Sequence, residues 1–376
     1  MKTVVLITNI PTPYRIPLFN LLSEEMRIAG MELHVIFSSL GYKRRKFEIN
    51  PKEFKFSYTL LDGGKYSVGE DAEKTYFFYR GLWKQLRTIK PWRIISSGFS
   101  PATIICTFHQ FIYGTPFLIW SGTIELGERK TPWWRKLFRK FLIKKATSFI
   151  TYGTKASEYL VRLGAKKETI HIALNTVDTT FFREETNAAR SIIKKQDKFT
   201  FAYLGYLVPR KNVNKVIEAA AELSKIRKDF RIIIIGDGVS KADLEREVMD
   251  QQLNSLIHFR GYLQKQELPA VFAETDALLF QTDFDIWGLV LNEAMAAGIA
   301  CLASNKAGAV YDLIEEGKNG YINDFSKITP TVNKMEWMID HKETIEQTGK
   351  NASRFIAEKA SLANAVGGFM TAIKNS

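Results

Sequence analysis

The residues best suited to chemistry lie in one block, residues 283–298, which follows a predicted buried strand ending at Phe280. Gly288 opens a predicted helix, and the first amides of a helix are unpaired donors that can hold a phosphate group. Glu293 lies about 7 Å further along the helix axis, where a carboxylate can accept hydrogen bonds from both hydroxyls of a ribose. Asp285 precedes the helix and could face a group attached to the phosphate. A capped helix with solvated carboxylates is the alternative interpretation.

Two glycine-containing turns could serve the same ligand. Arg210 and Lys211 lie in a turn, residues 205–212, and suit a diphosphate, which Arg binds through two parallel hydrogen bonds and Lys as a point charge. Gly236-Asp237-Gly238 follows a run of four isoleucines, and its glycines allow close backbone approach. Each turn by itself is equally compatible with an ordinary surface turn.

The elements that must position these residues alternate along the whole chain. Short apolar runs rich in β-branched residues alternate with helical patterns, which predicts α/β architecture with parallel sheets covered on both faces. We predict two doubly wound, Rossmann-like domains, residues 1–178 and 179–360, and a final helix over 361–376. Ligands bind at the carboxyl ends of such strands, so we expect a cleft where these edges of the two domains face each other.

The predicted elements have the following bounds. The strands are Val4–Thr8, Leu33–Phe37, Arg93–Ser96, Phe117–Trp120, Ser148–Tyr152, Ile170–Ala173, Phe199–Leu204, Arg231–Ile235, Ile257–Arg260, Ala277–Phe280 and Ile299–Ala303. The helices include Ile16–Ala29, Lys155–Leu163, Val213–Lys225, Lys241–Gln251, Glu267–Ala273, Leu289–Ala297 and Ala309–Glu316.

The composition is that of a globular protein. The chain has 376 residues, of which 45% are hydrophobic and 25% charged, which excludes a disordered or fibrous chain. Cys106 and Cys301 lie in apolar runs, which is typical of buried, reduced thiols. The most apolar stretch, residues 103–120, contains a glycine and a proline, so we expect buried elements and a turn there, not a membrane span. The first residues lack a signal-peptide pattern, which predicts a cytoplasmic protein.

The net charge of +13 belongs entirely to the first half of the chain. Residues 1–180 contain 28 Lys and Arg against 14 Asp and Glu, whereas residues 181–376 contain 25 against 26. An excess of positive charge confined to one half of the chain indicates an anionic partner for that half, which could be membrane lipid, a phosphorylated substrate or nucleic acid. No nucleic-acid-binding motif is recognisable, so we expect no nucleic-acid partner.

A basic aromatic helix is predicted over residues 129–145, with Thr131 as its cap and Pro132 in its first turn. The segment holds eight cations and no acidic residue, and its aromatic residues recur at helical spacing. A basic amphipathic helix with tryptophans is typical of a membrane-surface element. A helix with a solvated basic face, packed through its apolar stripe, is the alternative. Residues 42–46 could extend this surface. The predicted membrane-contacting residues are Trp133, Trp134, Arg135, Lys136, Arg139 and Lys140.

Taken together, the motifs of the second half resemble the retaining GT-B glycosyltransferases of family 4, also called group 1 glycosyltransferases. The likeness extends over nearly all of residues 199–326. The first half is similar more loosely, at Tyr152–Ala156 and Asn175–Asp178, and Ser361–Ile373 looks like the family's final helix, which packs back on the first domain. The motifs are the turn with Arg210 and Lys211, Ile235–Gly238, Phe259–Leu263, Trp287–Gly298 and Glu316–Tyr321.

The resemblance implies that the second domain binds the donor. Lys211 matches the family's diphosphate-binding lysine, and Glu293 matches the ribose-binding second glutamate of a paired-glutamate motif. The first glutamate of that motif is Asp285 here. The family's usual arginine after Gly205 is Tyr206, and Arg210 could supply that charge. The implied catalytic residues are Asp285, Arg210 and Lys211, and the implied donor-binding residues are Gly205, Tyr206, Gly261, Tyr262, Leu263, Gly288, Leu289 and Glu293.

The resemblance also implies a mechanism, transfer with retention at the anomeric carbon by front-face attack of the acceptor hydroxyl. No enzyme nucleophile is indicated. No metal or other cofactor is expected, because cations and helix amides would balance the charge of the leaving diphosphate. Asp283-Phe284-Asp285 also matches the metal-binding Asp-x-Asp motif of a different glycosyltransferase architecture, which is the alternative. The acceptor-side candidates are Arg15, Ser121 and Glu125.

The sequence therefore predicts a retaining glycosyltransferase that moves a sugar from a nucleotide diphosphate sugar to a glycan acceptor, which we expect to be lipid-linked, in surface polysaccharide or glycolipid synthesis. Its predicted location is the cytoplasmic face of an anionic membrane. Two alternatives stay open at this stage. One is a non-catalytic GT-B subunit of a glycan-assembly complex, and the other is a soluble GT-B enzyme that acts on small molecules.

Overall fold

The computed structural model describes residues 1–41, 47–68, 74–128, 131–193 and 197–376. The chain separates into two compact units, Met1–Val177 together with Leu362–Ser376, and Asp178–Ser361. The predicted basic extension at residues 42–46, and Arg129 and Lys130 at the start of the predicted basic helix, lie outside the described residues.

The first unit is built on a parallel sheet. Within the described ranges it has seven strands in the order β3-β2-β1-β6-β7-β8-β9, and a separate antiparallel hairpin of β4 and β5. Its elements in chain order are β1 Lys2–Thr8, α1 Arg15–Ile28, β2 Met31–Phe37, β3 Ser57–Leu60, β4 Lys65–Val68, β5 Lys74–Phe77, α2 Leu82–Ile89, β6 Arg93–Ser97, α3 Pro101–Tyr113, β7 Phe117–Ser121, α4 Trp133–Lys145, β8 Ser148–Thr151, α5 Thr154–Arg162 and β9 Ile170–Ile172.

The second unit repeats this architecture. Its parallel sheet, counted over the described residues, has six strands in the order β12-β11-β10-β13-β14-β15. Its elements are α6 Thr179–Ile192, β10 Phe199–Leu204, α7 Asn214–Ser224, β11 Phe230–Ile235, α8 Lys241–Asp250, β12 Ile257–Gly261, α9 Leu268–Glu274, β13 Ala277–Phe280, α10 Leu289–Ala296, β14 Ala300–Ser304, α11 Val310–Leu313, β15 Tyr321–Asn323, α12 Ile328–Asp340 and α13 Lys342–Lys359.

The last helix, α14 (Leu362–Lys374), belongs to the first unit. It packs on α1 and buries Val366, Phe369 and Ile373 in the same core as Trp120 of β7. The other face of that sheet is covered by α2, α3, α4 and α5. The predicted doubly wound α/β class with two parallel sheets is therefore confirmed.

Several local predictions need correction. Strands β3, β4, β5 and β15 were not predicted, because each has only three or four residues, and β3 and β4 are in addition largely exposed. The helix predicted over Ala309–Glu316 ends at Leu313, where the side chain of Asn319 bonds the carbonyl oxygen of Leu313 (3.0 Å) and the N–H of Glu315 (2.7 Å).

The basic helix begins later than predicted. Its first residue is Trp133 and its cap is Pro132, not Thr131. Pro132 has a ψ of 144°, an extended value that cannot continue a helix, and its carbonyl oxygen accepts the N–H of Arg135. The side chains of Trp133, Trp134, Lys136 and Lys140 are exposed, whereas those of Arg135 and Arg139 are half-buried.

The apolar stretch at residues 103–120 also differs from its prediction. It forms most of α3, a glycine-capped turn at Gly114, and β7. Strand β7 is buried throughout, but α3 leaves several large apolar side chains in solvent, so the prediction of wholly buried elements is wrong for this helix. No helix among the described residues is long and apolar enough to span a bilayer.

Candidate functional site

The turns predicted to carry chemistry meet at the carboxyl ends of the second unit's strands. The N–H of Gly205, after β10, donates to Ile235 of β11 (3.0 Å), and the N–H of Gly236, after β11, donates to Gly261 of β12 (2.8 Å). A Cβ on Gly236 would lie 1.8 Å from the carbonyl oxygen of Gly205. Only glycine fits there, so the glycine-rich turn serves close packing of two loops.

Lys211 and Asp285 form the charged centre of this edge. Lys211 ends a short 3-10 helix, Pro209–Lys211, and is buried. Its Nζ donates to Oδ2 of Asp285 at 2.5 Å and lies 5.4 Å from the centre of the Phe280 ring. Burial tends to raise the pKa of the Asp285 carboxyl, but the Lys211 ammonium, the N–H of Trp287 and the charge of Arg210 together hold it below its usual range. Asp285 is therefore ionised at neutral pH.

Neighbouring contacts fix the loop that carries Asp285. The guanidinium of Arg210 donates to the carbonyl oxygen of Phe284 (3.3 Å), and the N–H of Trp287 donates to Oδ1 of Asp285 (3.2 Å). The indole N–H of Trp287, which is buried, donates to Asn292 of α10 (2.9 Å). The loop and the helix after it are thus held as one rigid piece.

Asp283 takes a different environment from Asp285. Its carboxylate accepts from the side-chain amide of Asn212 (2.8 Å) and pairs with Lys306 (3.4 Å). The two carboxylates of the Asp-x-Asp sequence therefore each have a cation of their own. Among the described residues, no group of three or more His, Cys, Asp or Glu side chains is arranged to hold a metal ion.

Helix α10 begins at the same edge. Its cap is Gly288, which has a φ of 104° and no side-chain hydrogen bond to the first helical amides. A Cβ on Gly288 would lie 2.4 Å from the Phe280 ring, so this position needs glycine for both its conformation and its space. The N-terminal turn of α10 therefore presents backbone donors of the kind that bind phosphate.

Glu293 lies on the second turn of α10 and is half-buried. Over the described ranges, its carboxyl group has no hydrogen bond or ion pair. Burial raises the pKa of Glu293 to about 8, against an opposing effect of the positive charge of Lys265. A carboxyl in this state is available to a ligand, because no hydrogen bond in the described structure offsets its burial.

The remaining donor-side candidates are half-buried and line the same strand ends. Tyr206 follows β10, and Tyr262 and Leu263 follow β12, while Leu289 is the first residue of α10. Sequence reasoning missed Tyr203, which is buried beneath this edge and whose hydroxyl has no hydrogen-bond partner among the described residues. Burial raises the pKa of Tyr203. A lone tyrosine inside an apolar strand carries no sequence signal that distinguishes it from a core residue.

In the first unit the structure brings two of the three acceptor-side candidates near one another. Arg15, the first residue of α1, donates to Thr8 at the end of β1 (2.9 Å) and to the hydroxyl of Tyr152 after β8 (2.6 Å). The N–H of Tyr152 donates to the carbonyl oxygen of Ser121, the buried last residue of β7 (3.2 Å). Glu125 instead forms an exposed ion pair with Arg162. Sequence reasoning did not identify Tyr152 as the partner of Arg15, because the two residues lie 137 positions apart along the chain.

Part of this chain is similar to a known protein family. Residues 184–355, within the second unit, match the family described as "Glycosyl transferases group 1". Curated relatives include the alpha-D-kanosaminyltransferase of Streptomyces kanamyceticus, 25% identical over 64% of this chain and 63% of that protein. Another is the alpha-monoglucosyldiacylglycerol synthase of Acholeplasma laidlawii, 26% identical over 42% of this chain and 39% of that protein. Both matches span less than two thirds of the relative's own length.

Solved structures resemble the chain over its whole length. Anabaena Alr3699/HepE in complex with UDP superposes with a TM-score of 0.78, at 15% identity and with 100% of both chains covered. The same protein has been solved in complex with UDP-glucose, with a TM-score of 0.75. At 15% sequence identity, this structural similarity supports a shared fold and does not by itself support a shared activity. The chain has the GT-B glycosyltransferase fold of two Rossmann-like domains, and the segment that matches the group 1 glycosyl transferase family lies in its second unit.

Proposed function

We propose that this chain is a retaining glycosyltransferase that takes its sugar from a nucleotide diphosphate sugar. One observation carries the proposal: the Lys211–Asp285 pair lies at the same strand edge as the open N-terminal turn of α10, and Glu293 follows on that helix. Together they offer a cation, backbone donors and a buried carboxyl without a hydrogen bond in the described structure, which are the groups that a diphosphate and a ribose need. The likeness to a protein solved with UDP-glucose supports this class of donor.

Each donor-side residue has a proposed role. The amides of Gly288 and Leu289 would donate to the diphosphate, and Glu293 would accept from the ribose hydroxyls. Gly205 and Tyr206 would approach the diphosphate, and Gly261, Tyr262 and Leu263 would pack on the base.

The proposed chemistry is charge balance and positioning. The acceptor hydroxyl attacks the anomeric carbon on the face from which the diphosphate leaves, and its proton passes to the departing phosphate oxygen. Lys211 and Arg210 would stabilise the negative charge that develops on that leaving group, so that no metal is needed. Asp285 would fix the Lys211 ammonium and contact the transferred sugar. The names of these two curated relatives carry an alpha configuration, and transfer from an alpha-linked donor to an alpha-linked product is retention.

The first experiment is ligand-detected NMR of the purified protein with UDP and GDP in competition, with and without magnesium. We expect one nucleotide to be preferred and the preference to be independent of magnesium. A requirement for magnesium would favour metal binding at Asp283 and Asp285 and contradict the metal-independent mechanism. If neither nucleotide binds at millimolar concentration, the donor-site proposal is wrong.

A substitution of Glu293 tests the ribose contact. We expect Glu293→Gln to weaken nucleotide binding by at least about tenfold, because the acceptor loses its charge and one of its two acceptor oxygens becomes an NH2 donor. Glycosyl transfer should fall with it. Glu247→Gln is the matched control, since Glu247 is also half-buried on a helix of the second unit, and it should leave binding within about twofold. Nucleotide binding without transfer to any acceptor would favour a non-catalytic subunit.

We further propose that the acceptor is a lipid-linked glycan and that the protein works at the cytoplasmic face of an anionic membrane. Helix α4 supports this, because Trp133 and Trp134 are exposed on it together with four of its cations, Lys136, Lys140, Lys144 and Lys145. Each cation at an anionic surface contributes about 1 kcal/mol. The acceptor would bind near Arg15 and Ser121 of the first unit, and Glu125 remains a candidate there.

Liposome flotation tests the membrane proposal. We expect the protein to float with anionic vesicles and the double variant Trp133→Ser/Trp134→Ser to float far less. The double variant Ile192→Ser/Ile226→Ser, which removes two exposed apolar side chains of the second unit, is the control. A wild-type protein that never floats would favour a soluble enzyme acting on small molecules.

A further inference from the structure

Helix α3 exposes a ridge of apolar side chains. The helix has 13 residues and none of them is Asp, Glu, Lys or Arg. Its inward side buries small residues such as Ala102 and Cys106, so the larger side chains are left outside. Phe111 is 87% exposed and Phe108 is 59% exposed. We call this face the α3 ridge, and its residues, which recur at one-turn and two-turn spacing, are Ile104, Phe108, Phe111 and Ile112.

The α3 ridge is flanked by basic helices. Helix α3 packs against both α2 and α4 in the helical layer that covers one face of the first sheet. Trp83 of α2 contacts His109 and Tyr113 of α3, with ring centres 5.8 Å and 6.1 Å apart. Neither α2 nor α4 contains an acidic residue. Their exposed cations are Lys84 and Arg87 on α2, and Lys136, Lys140, Lys144 and Lys145 on α4.

This pattern identifies the chemistry of the partner. An exposed apolar patch needs a partner that removes it from water. Protein interfaces are depleted in lysine, so a rim rich in lysine argues against a protein partner. An apolar centre with a cationic rim and flanking tryptophans is complementary to a bilayer that has anionic headgroups and an apolar interior.

We propose that the α3 ridge inserts into the acyl region of an anionic bilayer, while the cations of α2 and α4 bind the lipid phosphates around it. The inference deepens the proposed function and rests on it for the choice of a lipid-linked acceptor. It assigns insertion to α3, a helix without Asp, Glu, Lys or Arg, whereas the sequence assigned membrane contact to α4, with residues 42–46 as an extension. Insertion of α3 would also fix which face of the first unit points toward the lipid.

A site-specific probe distinguishes insertion from adsorption to the surface. Phe111→Cys is labelled with a fluorophore whose emission shifts to the blue in an apolar medium. Cys106 and Cys301 are buried, and burial raises the pKa of the Cys106 thiol to about 12, so the native thiols react poorly. The control is the same label on Ile28→Cys, at the exposed end of α1 on the opposite side of the sheet. We expect a blue shift at position 111, and none at 28, when vesicles of equal parts phosphatidylglycerol and phosphatidylcholine are added.

Partitioning of the protein between buffer and vesicles measures how much the α3 ridge contributes to membrane affinity. We expect Phe108→Gln/Phe111→Gln to reduce binding to those vesicles by at least about tenfold, since transfer of a single phenyl ring from water to hydrocarbon is worth that factor. Ile28→Gln should change it by less than about twofold. Lys84→Gln/Arg87→Gln should weaken binding at low salt and make it less dependent on salt. Both positions of the ridge variant are exposed, so the fold should be kept, and circular dichroism checks it.

Three results would overturn the inference. One is flotation of the protein with no blue shift at position 111. Another is a Phe108→Gln/Phe111→Gln variant that binds vesicles as the wild type does. The third is a wild type that ignores vesicles but self-associates through these two phenylalanines, which would make a second copy of the chain the partner. Nucleotide binding of each variant is measured in parallel. If the wild type binds no nucleotide, the proposed function is contradicted, whereas the insertion result is unaffected.

Discussion

Glu293 is a carboxyl group that its burial leaves largely protonated at neutral pH. Burial raises its pKa to about 8. Ribose hydroxyls would donate to the ionised form and stabilise it, so the bound state should have the lower pKa. Binding of a nucleotide sugar would then release a proton.

The resulting prediction concerns the pH dependence of donor affinity. Affinity should rise as the pH is raised from about 6 to about 8, by at most about tenfold per pH unit, and level off above the pKa of the free site. Calorimetry with the preferred nucleotide sugar measures it, and such a diester diphosphate does not itself titrate in this range. In Glu293→Gln the dependence should disappear. An affinity that is flat or falls with pH in the wild type would contradict the assignment of Glu293.

At the residue scale, sequence could predict the types of group at the site but not all of their pairings. The sequence identifies Lys211 and Asp285 because each lies in a turn after a strand, and Glu293 because it lies on the helix that follows Asp285. The bond between Lys211 and Asp285 joins residues 74 positions apart, and the bond between Arg15 and Tyr152 joins residues 137 apart. Such pairings depend on strand order, which a single sequence does not specify.

At the element scale, the junction of β13 and α10 depends on one glycine. We expect Gly288→Ala to destabilise the second unit by about 2 kcal/mol or more, because the new Cβ would collide with the Phe280 ring and the residue would keep a positive φ. Nucleotide affinity should fall as well, since the first amides of α10 would shift. Urea unfolding and nucleotide titration measure the two effects.

Gly367→Ala supplies the control for that substitution. Gly367 lies inside α14, and a Cβ there would meet nothing within 4 Å. Alanine should stabilise the helix by about 0.5–1 kcal/mol. Opposite signs for the two substitutions are the expected result. If both substitutions change the free energy of unfolding by similar, small amounts, the junction of β13 and α10 accommodates the extra methyl group without strain.

The elements predicted correctly are those with strong local signals. Strands β10, β11 and β13 are buried on both faces, so their continuous apolar runs are sufficient to predict them from the sequence. Strand β3 has only exposed or half-buried residues, and β15 has three residues, so neither produced a pattern. Helix α3 was misjudged for the opposite reason. Its apolar sequence indicated burial, and only the structure shows that several of its large apolar side chains face outward.

At the scale of the whole molecule, the first unit is assembled from two separate parts of the chain. Helix α14 supplies Val366, Phe369 and Ile373 to its core, and the Phe369 ring lies 5.1 Å from that of Trp120. At about 1.5–3 kcal/mol for each buried side chain, these three alone contribute about 5–9 kcal/mol. That amount is comparable to the whole stability of a typical domain.

Deletion of residues 362–376 should therefore unfold the first unit selectively. We expect limited proteolysis to cleave within residues 1–177 while residues 178–361 stay protected and keep a cooperative urea transition. Deletion of residues 375 and 376 is the control, because it removes the bonds between Ser376 and Arg93 but leaves α14 in place. A first unit that stays protected without α14 would contradict this view of its core.

The discontinuity of the first unit also has a consequence for its biosynthesis. The second unit is continuous, and all of its residues have been made before α14 leaves the ribosome. At about 5–20 residues per second, the sheet of the first unit waits about 10–40 s for its last helix. During that interval the surface around Trp120 is uncovered, and it is a natural binding site for the chaperones that meet nascent chains.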